Sequence, residues 1–348
     1  MRHSRIPSLD GARACSILLV LYAHLATSGA SPFIDRLWRF DLGNLGVRVF
    51  FVISGYLITS LLMVEFATHG NISLKHFYIR RFFRIVPAFW VLLAMVAIVI
   101  PTGVVSATYG DIAAAGLYIA NYLKLHFSVG HSWSLAVEEQ FYLLWPLAIV
   151  AFGWRRATQF ALATLVFVPL LRVASDLGYW HTSSRYAFET VCDAIASGCL
   201  LAILRDRLWT WPRYRRLVNS RLFVLLPILV VAVLAARPSV LIVDVVGIGV
   251  LNISIAMFLD HVMRHPLDPI GRLLNLTSMK FLGLMSYSIY LWQQLWFDPA
   301  HRTTFPFSVG MIALCASISY WLVEKPALGL GRRFIGRYKR RADAQLAQ

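Results

Sequence analysis

The sequence predicts an all-α protein: a polytopic bundle of about ten transmembrane helices with both termini cytoplasmic. Three observations lead there. Hydrophobic residues make up 58% of the chain and charged residues 14%, far from the roughly 25% charge of a water-soluble domain. Apolar runs close to the ~20 residues that a helix needs to cross a bilayer recur along the whole length. The lysines and arginines behind the formal charge of +16 sit in short segments between those runs. A basic chain invites a nucleic-acid reading, but charge that alternates with apolar runs is the positive-inside pattern, reinforced by anionic lipid at the cytoplasmic face. The expected surroundings are a lipid bilayer, with no nucleic acid.

Taken in order, the expected spans are 10–28, 43–64, 84–101, 134–152, 157–174, 187–204, 221–236, 239–259, 280–298 and 307–323. The first follows a basic start and resembles a secretory leader, but Asp10 and Arg13 interrupt its beginning and it is long enough to span. A shorter run at 111–123 reads as a half-helix or interfacial segment near the outer surface. Ten crossings return both termini to one side. The inner segments then hold Arg2, Arg5 and Arg13, the group Lys75, Arg80, Arg81 and Arg84, the pair Arg155 and Arg156, the cluster from Arg205 to Arg221, and the tail from Lys325 to Arg341. The chain divides into a membrane domain at 1–330 and a basic cytoplasmic tail at 331–348. Cys15, Cys192, Cys199 and Cys315 all lie in apolar runs without zinc or disulfide spacing, and read as small buried hydrophobes.

Ionisable residues inside spans are expensive, so each is a functional candidate. Arg13 and His24 lie in the first span, eleven residues and about three turns apart. They therefore share one helix face, roughly 16 Å apart along the axis. A snorkelling arginine and a histidine bonded to a neighbouring helix would account for the pair equally well. Glu138 and Glu139 enter the fourth span within His131-Ser-Trp-Ser-Leu-Ala-Val-Glu-Glu-Gln-Phe-Tyr142. Helical neighbours point about 100° apart, so the two carboxylates occupy different environments. Glu138 is the one expected to face the bundle, where a carboxylate can orient His24. Its aromatic neighbours are ordinary interface anchors. Arg81 and Arg84, three residues apart at the opening of the third span, share a helix face. Arginine binds phosphate in a bidentate way, whereas topology alone accounts for Arg80. Arg48, Asp193 and Asp176 are lesser candidates, and His181, His261, His265 and His301 fall in expected loops. No Walker loop, dinucleotide fingerprint, metal-ligand motif or GxSxG elbow is present.

Together these segments resemble acyltransferase family 3, the bacterial membrane O-acyltransferases. The resemblance runs over about residues 7–327 and rests on six elements in order. They are Arg13 with His24, Gly46-Val-Arg-Val-Phe-Phe-Val-Ile-Ser-Gly-Tyr-Leu-Ile-Thr59, Arg81-Phe-Phe-Arg84, Trp133-Ser-Leu-Ala-Val-Glu-Glu-Gln-Phe-Tyr142, Leu282-Gly-Leu-Met-Ser-Tyr-Ser-Ile-Tyr-Leu-Trp292 and Glu324-Lys-Pro326. Two positions depart from the commonest pattern: Gln293 stands where many relatives carry His, and Arg48 where many carry Asp. The chain ends soon after the last expected span, which predicts the stand-alone form without the soluble esterase-like domain that some relatives carry.

The resemblance implies transfer of an acyl group, acetyl by default, from an acyl-CoA donor to a hydroxyl of a glycan or other glycosylated acceptor at the bacterial inner membrane. Arg13, Arg81 and Arg84 would bind the phosphates of acetyl-CoA or another acyl-CoA, with no permanently bound cofactor. His24 would serve as general base, a role that suits imidazole, or carry the acyl group itself, with Glu138 orienting it. The competing class is a polytopic transporter or exporter, since intramembrane His, Arg and Glu also mark transport paths. The internal repeats usual in that class are not seen in this sequence.

Overall fold

The computed structural model describes residues 6–27, 41–179, 185–220, 225–236, 239–298 and 305–346. These residues form helices, turns and short irregular connections, with no strand among them. Helix α1 is Pro7–Thr27, α2 Leu42–His69, α3 Leu74–Val99, α4 Tyr109–Gly116, α5 Ser132–Asp176 and α6 Phe188–Trp209. Then come α7 Pro212–Val218, α8 Leu226–Ala235, α9 Ile248–Arg264, α10 Pro269–Leu274, α11 Thr277–Trp296, α12 Phe305–Ser319 and α13 Lys325–Leu346. Single π-helical turns at Val243–Gly247 and Tyr320–Glu324 lead into α9 and α13.

Local signals set the ends of these helices. Pro7 opens α1, where its missing N–H costs nothing. Ser73 caps α3 by accepting from the His76 amide, so that helix begins a full two turns before Arg81 and Arg84 instead of at them. Gly70 closes α2 in the left-handed conformation, with φ of 70°. Thr108 and Asp111 form a capping box on α4, an eight-residue helix where the half-helix was expected.

Two expected spans are joined in α5, broken by Gly153 at φ 76° and ψ 166°. A straight helix would hold Trp133 and Arg172 about 58 Å apart, yet both line one cavity. The chain therefore reverses at Gly153, in a backbone region open essentially to glycine alone.

Side-chain contacts order the bundle. Gln293 near the end of α11 meets His24 near the end of α1, while Ser8 at the start of α1 meets Asn275 just before α11. The two helices are parallel. Helix α2 runs against them, since the close contacts of Gly43 with Ala23 and of Gly46 with Val20 pair its beginning with the end of α1. Helices α2 and α6 cross backbone to backbone at Gly55 and Gly198, each lying on the other helix's main chain with no room for a Cβ. The bundle thus has a proximal end, where α1 starts, and a distal end, where it finishes.

The protein is a multi-pass membrane protein, and a helix lies over each of the ten expected spans. Leu42–His69, Leu74–Thr102, Phe127–Asp176, Val243–Arg264 and Pro306–Gly336 are long and apolar enough to cross a bilayer. Their outward side chains, among them Leu143, Leu144, Val166, Phe167 and Leu322, are exposed and apolar, a surface suited to lipid. Helices α1, α6 and α11 have 21, 22 and 20 residues but a more polar composition. Their polar residues, such as Asp193 and Gln293, are buried against protein, where intramembrane polar groups are tolerated. The described helix over 221–236, Leu226–Ala235, has ten residues, or about 15 Å of rise, half a hydrocarbon core. Helix α13 passes without interruption through the expected domain boundary at 330.

Candidate functional site

A cavity of about 770 Å³ lies toward the proximal end, within the usual size of a ligand site. Helices α1, α2, α3, α5, α11 and α13 all contribute to it. Its charged lining consists of Arg13, Arg80, Arg81, Arg84 and Arg332 against Asp10 and Glu138, and phenylalanines 50, 51, 77 and 83 form much of the apolar wall. Three of the predicted residues, Arg13, Arg81 and Arg84, thus meet in one place from two helices. Arg80, by contrast, turns outward to pair with Glu65 at 2.8 Å. The Arg81 guanidinium lies over the rings of Tyr142 at 5.0 Å and Phe77 at 5.7 Å. No carboxylate among the described residues closes an ion pair on Arg13, Arg81 or Arg84.

Glu138 faces this cavity, but its partners are not the expected ones. Ser54 Oγ donates to its Oε1 at 2.9 Å and the Tyr142 hydroxyl donates to its Oε2 at 3.1 Å. Orientation of His24 by Glu138 is therefore replaced by a carboxylate held between two hydroxyls. The reason is depth. Glu138 lies seven residues along α5 from His131, about 10 Å toward the proximal end, whereas His24 belongs to the level of His131. A second carboxylate, Glu324, accepts from Ser288 at 2.9 Å on the same side of the bundle.

His24 is held by glutamines. Its Nδ1 meets Gln293 Oε1 at 3.0 Å, and its Nε2 meets Gln294 Nε2 at 3.1 Å. An amide oxygen can only accept and an amide nitrogen only donate, so these contacts assign the proton to Nδ1 and leave the Nε2 lone pair as acceptor. The other end of Gln294 supports this assignment, because its Oε1 accepts from the His131 backbone N–H at 2.7 Å and from His131 Nδ1 at 2.9 Å. The edge of Phe127 closes on the His24 ring, with centroids 5.8 Å apart. Such a neutral imidazole, fixed in one tautomer with a lone pair at Nε2, can take a proton from a hydroxyl.

His24 does not line the arginine cavity. A chain of contacts joins them. Tyr290 and Ser134 belong to the cavity wall and share a 2.6 Å hydrogen bond. The Tyr290 hydroxyl donates to the His131 carbonyl at 3.0 Å, its ring stands 5.3 Å from the His131 ring, and Gln294 carries the connection to His24.

Both departures from the commonest pattern sit at functional-looking positions. Gln293 is a direct partner of His24, and Arg48 lines a second cavity at the distal end with Asp176. Asp193 instead pairs with the buried Arg172 at 2.9 Å. His261 is not in a loop as expected; it is buried in α9 and bonded to the Val218 carbonyl. His265 follows that helix, and His181 and His301 lie outside the described residues. Sequence reasoning missed Gln294, Ser54 and Tyr290 as members of the network. Their partners lie 84 to 270 positions away in the chain, and a neutral polar residue in a span carries no local signal of its own.

A family model described as an acyltransferase domain matches residues 6–323. The peptidoglycan O-acetyltransferase OatA of Listeria monocytogenes is 29% identical over 335 residues, covering 84% of this chain and 49% of that protein. The O-acetyltransferase OatA of Staphylococcus aureus is 28% identical over 358 residues, covering 92% of this chain and 57% of that protein. The chain thus spans about half the length of these curated relatives. No solved structure matches it.

Proposed function

The chain belongs to acyltransferase family 3, and from that premise we propose that it transfers an acetyl group from acetyl-CoA to a hydroxyl of a cell-wall glycan at the bacterial cytoplasmic membrane. The carrying observation is the division of labour along α1. Its base contributes Arg13 to a cavity that also holds Arg81 and Arg84, and three turns further on it presents a neutral His24. With the proximal end taken as cytoplasmic, as the positive-inside pattern suggests, the arginines would stand where acyl-CoA is made and His24 toward the outer side. The relatives' names supply the acceptor class.

In this reading Arg13, Arg81 and Arg84 hold the donor's phosphates through charge-assisted bonds. Phenylalanines 50, 51 and 77 give the pantetheine arm an apolar path into the bundle. The acceptor hydroxyl displaces the Gln294 amide from His24 Nε2, gives up its proton there, and its oxygen attacks the thioester carbonyl. The C–S bond breaks, the ester forms, and the imidazolium returns the proton to the departing thiolate. Gln293 stays on Nδ1–H and keeps the ring in the competent tautomer. Glu138, anchored by Ser54 and Tyr142, balances Arg13 and Arg81 at the inner mouth.

The test is transfer of radiolabelled acetyl from acetyl-CoA in membranes that contain wild type or His24→Ala, with peptidoglycan fragments offered as acceptor. Label in the glycan with wild type alone is the expected result. Equal labelling by a well-inserted His24→Ala protein would overturn the role of His24, and no labelling by wild type would overturn the donor–acceptor pair.

A further inference from the structure

The second cavity, about 230 Å³, lies at the distal end between α2, α5, α6 and the π-helical turn before α9. Its described lining differs in kind from that of the arginine cavity. Arg48, Arg172 and Arg185 are matched by Asp41, Asp176 and Asp244. Arg172 and Asp244 are buried, at 7% and 2% exposure. Yet the Arg172 Nε lacks any hydrogen-bond partner, and the Asp244 Oδ2 has the Arg185 guanidinium at 3.6 Å, beyond hydrogen-bond distance. Arg48, 6% exposed, spends one N–H on Asn252 Oδ1 at 3.1 Å, one of the five its fork can donate. One wall is aromatic: Trp133 and Tyr186 are stacked with ring centroids 4.2 Å apart.

Buried polar atoms without partners are rare and call for an explanation such as a ligand. Here the Arg172 donor has no partner and the Asp244 acceptor only a distant one, and the described lining has no excess of either charge. An anion would be met by three aspartates. A neutral polyol suits both kinds of group, and the C–H face of a sugar ring packs on an aromatic plane. Depth agrees as well. Gly43 packs on Ala23, so its neighbour Asn44, which lines the cavity, stands level with His24. Phe51 belongs to the walls of both cavities and meets Trp133 edge-on at 6.0 Å.

We propose that this distal cavity holds one uncharged saccharide ring of the acceptor, with Tyr186 on Trp133 as its stacking wall and Arg48, Arg172, Asn44 and Asp244 as partners for its hydroxyls. The assignment deepens the acyltransferase reading and rests on it for the reaction, while binding itself is measured without any donor.

The probe is N,N′,N″-triacetylchitotriose, added to the full chain in detergent and followed by saturation-transfer NMR. Wild type should bind, Tyr186→Ala should bind at least tenfold more weakly, Tyr186→Phe should restore most of the affinity, and inorganic phosphate should not compete. Equal affinity in wild type and Tyr186→Ala, no binding to wild type, or displacement by phosphate would each overturn the subsite. Binding with this pattern but without acetyl transfer to the same trisaccharide would leave the subsite standing and count against the proposed donor chemistry.

Discussion

The two ends of the bundle handle buried charge in opposite ways. At the proximal end Arg13, Arg81 and Arg84 gather around one large cavity with no ion pair among the described residues, and Glu138 is occupied by hydroxyls. At the distal end Arg172 is tied to Asp193 at 2.9 Å, and the cavity's arginines and aspartates offset one another. Desolvated charge is costly unless compensated. A cavity rich in arginine inside a membrane protein therefore suits an anion that arrives from elsewhere, whereas a balanced set does not call for one. In the proposed reading the polyanionic donor belongs to one end and the uncharged acceptor to the other, with His24 on the distal side.

The comparison breaks most sharply at His24. His24→Ala should lower transfer by about 10²- to 10⁴-fold, the usual contribution of a positioned general base, with acetyl-CoA binding retained. Loss of donor binding in that variant would mean that the two ends are not separate. Arg81→Ala and Arg84→Ala, made singly, should each raise KM for acetyl-CoA by about 10- to 100-fold, since a charge-assisted bond is worth roughly 1.5–3 kcal/mol. The KM for the glycan should stay where it was. Lysine at both positions should recover only part of the effect, because the bidentate fork and the stacking of Arg81 on Tyr142 are lost.

Gln294→Leu tests the link between the levels. It removes the donor to His24 Nε2 and the acceptor for His131. We expect kcat to fall about tenfold, near 1.4 kcal/mol, with KM for acetyl-CoA unchanged; a shift in that KM instead would place the glutamine in the donor site. The smallest effect on activity is expected from Gly153→Ala. It forces a side chain into a region that costs about 1–3 kcal/mol, so the thermal midpoint in detergent should drop while both KM values hold. A changed KM would show that the reversal of α5 sets the geometry of the cavities as well as their proximity.

Much of the fold was legible because bilayer physics writes itself into composition. An apolar run must be helical to satisfy its own backbone, and the described residues form helices and no strand, with five helices long and apolar enough to cross a bilayer. What misled was the treatment of helix ends. The apolar count placed Arg81 and Arg84 at the opening of a span, while the Ser73 cap starts α3 earlier and draws them inside. The candidate site was legible where charge was involved. Arg13, Arg81 and Arg84 stood out because charge in a span is conspicuous, and the structure brings them together. Glu138 was singled out for the same reason but given the wrong partner, since its type was readable and its depth against α1 was not.

By itself the sequence determined that the chain is helical and built for a membrane, which helices carry charge, and that Arg13 and His24 share one face of α1. These follow from composition and from the 3.6-residue period, both local properties. Only the tertiary structure decided which polar groups meet: His24 with Gln293 and Gln294, Glu138 with Ser54 and Tyr142, Arg48 with Asn252. It also decided that the buried polar groups divide between two cavities. The physical reason is that helix register and crossing depth are fixed by close contacts such as Gly55 on α6 and Gly43 on Ala23. Those contacts join residues far apart in the chain, and no local pattern encodes their pairing.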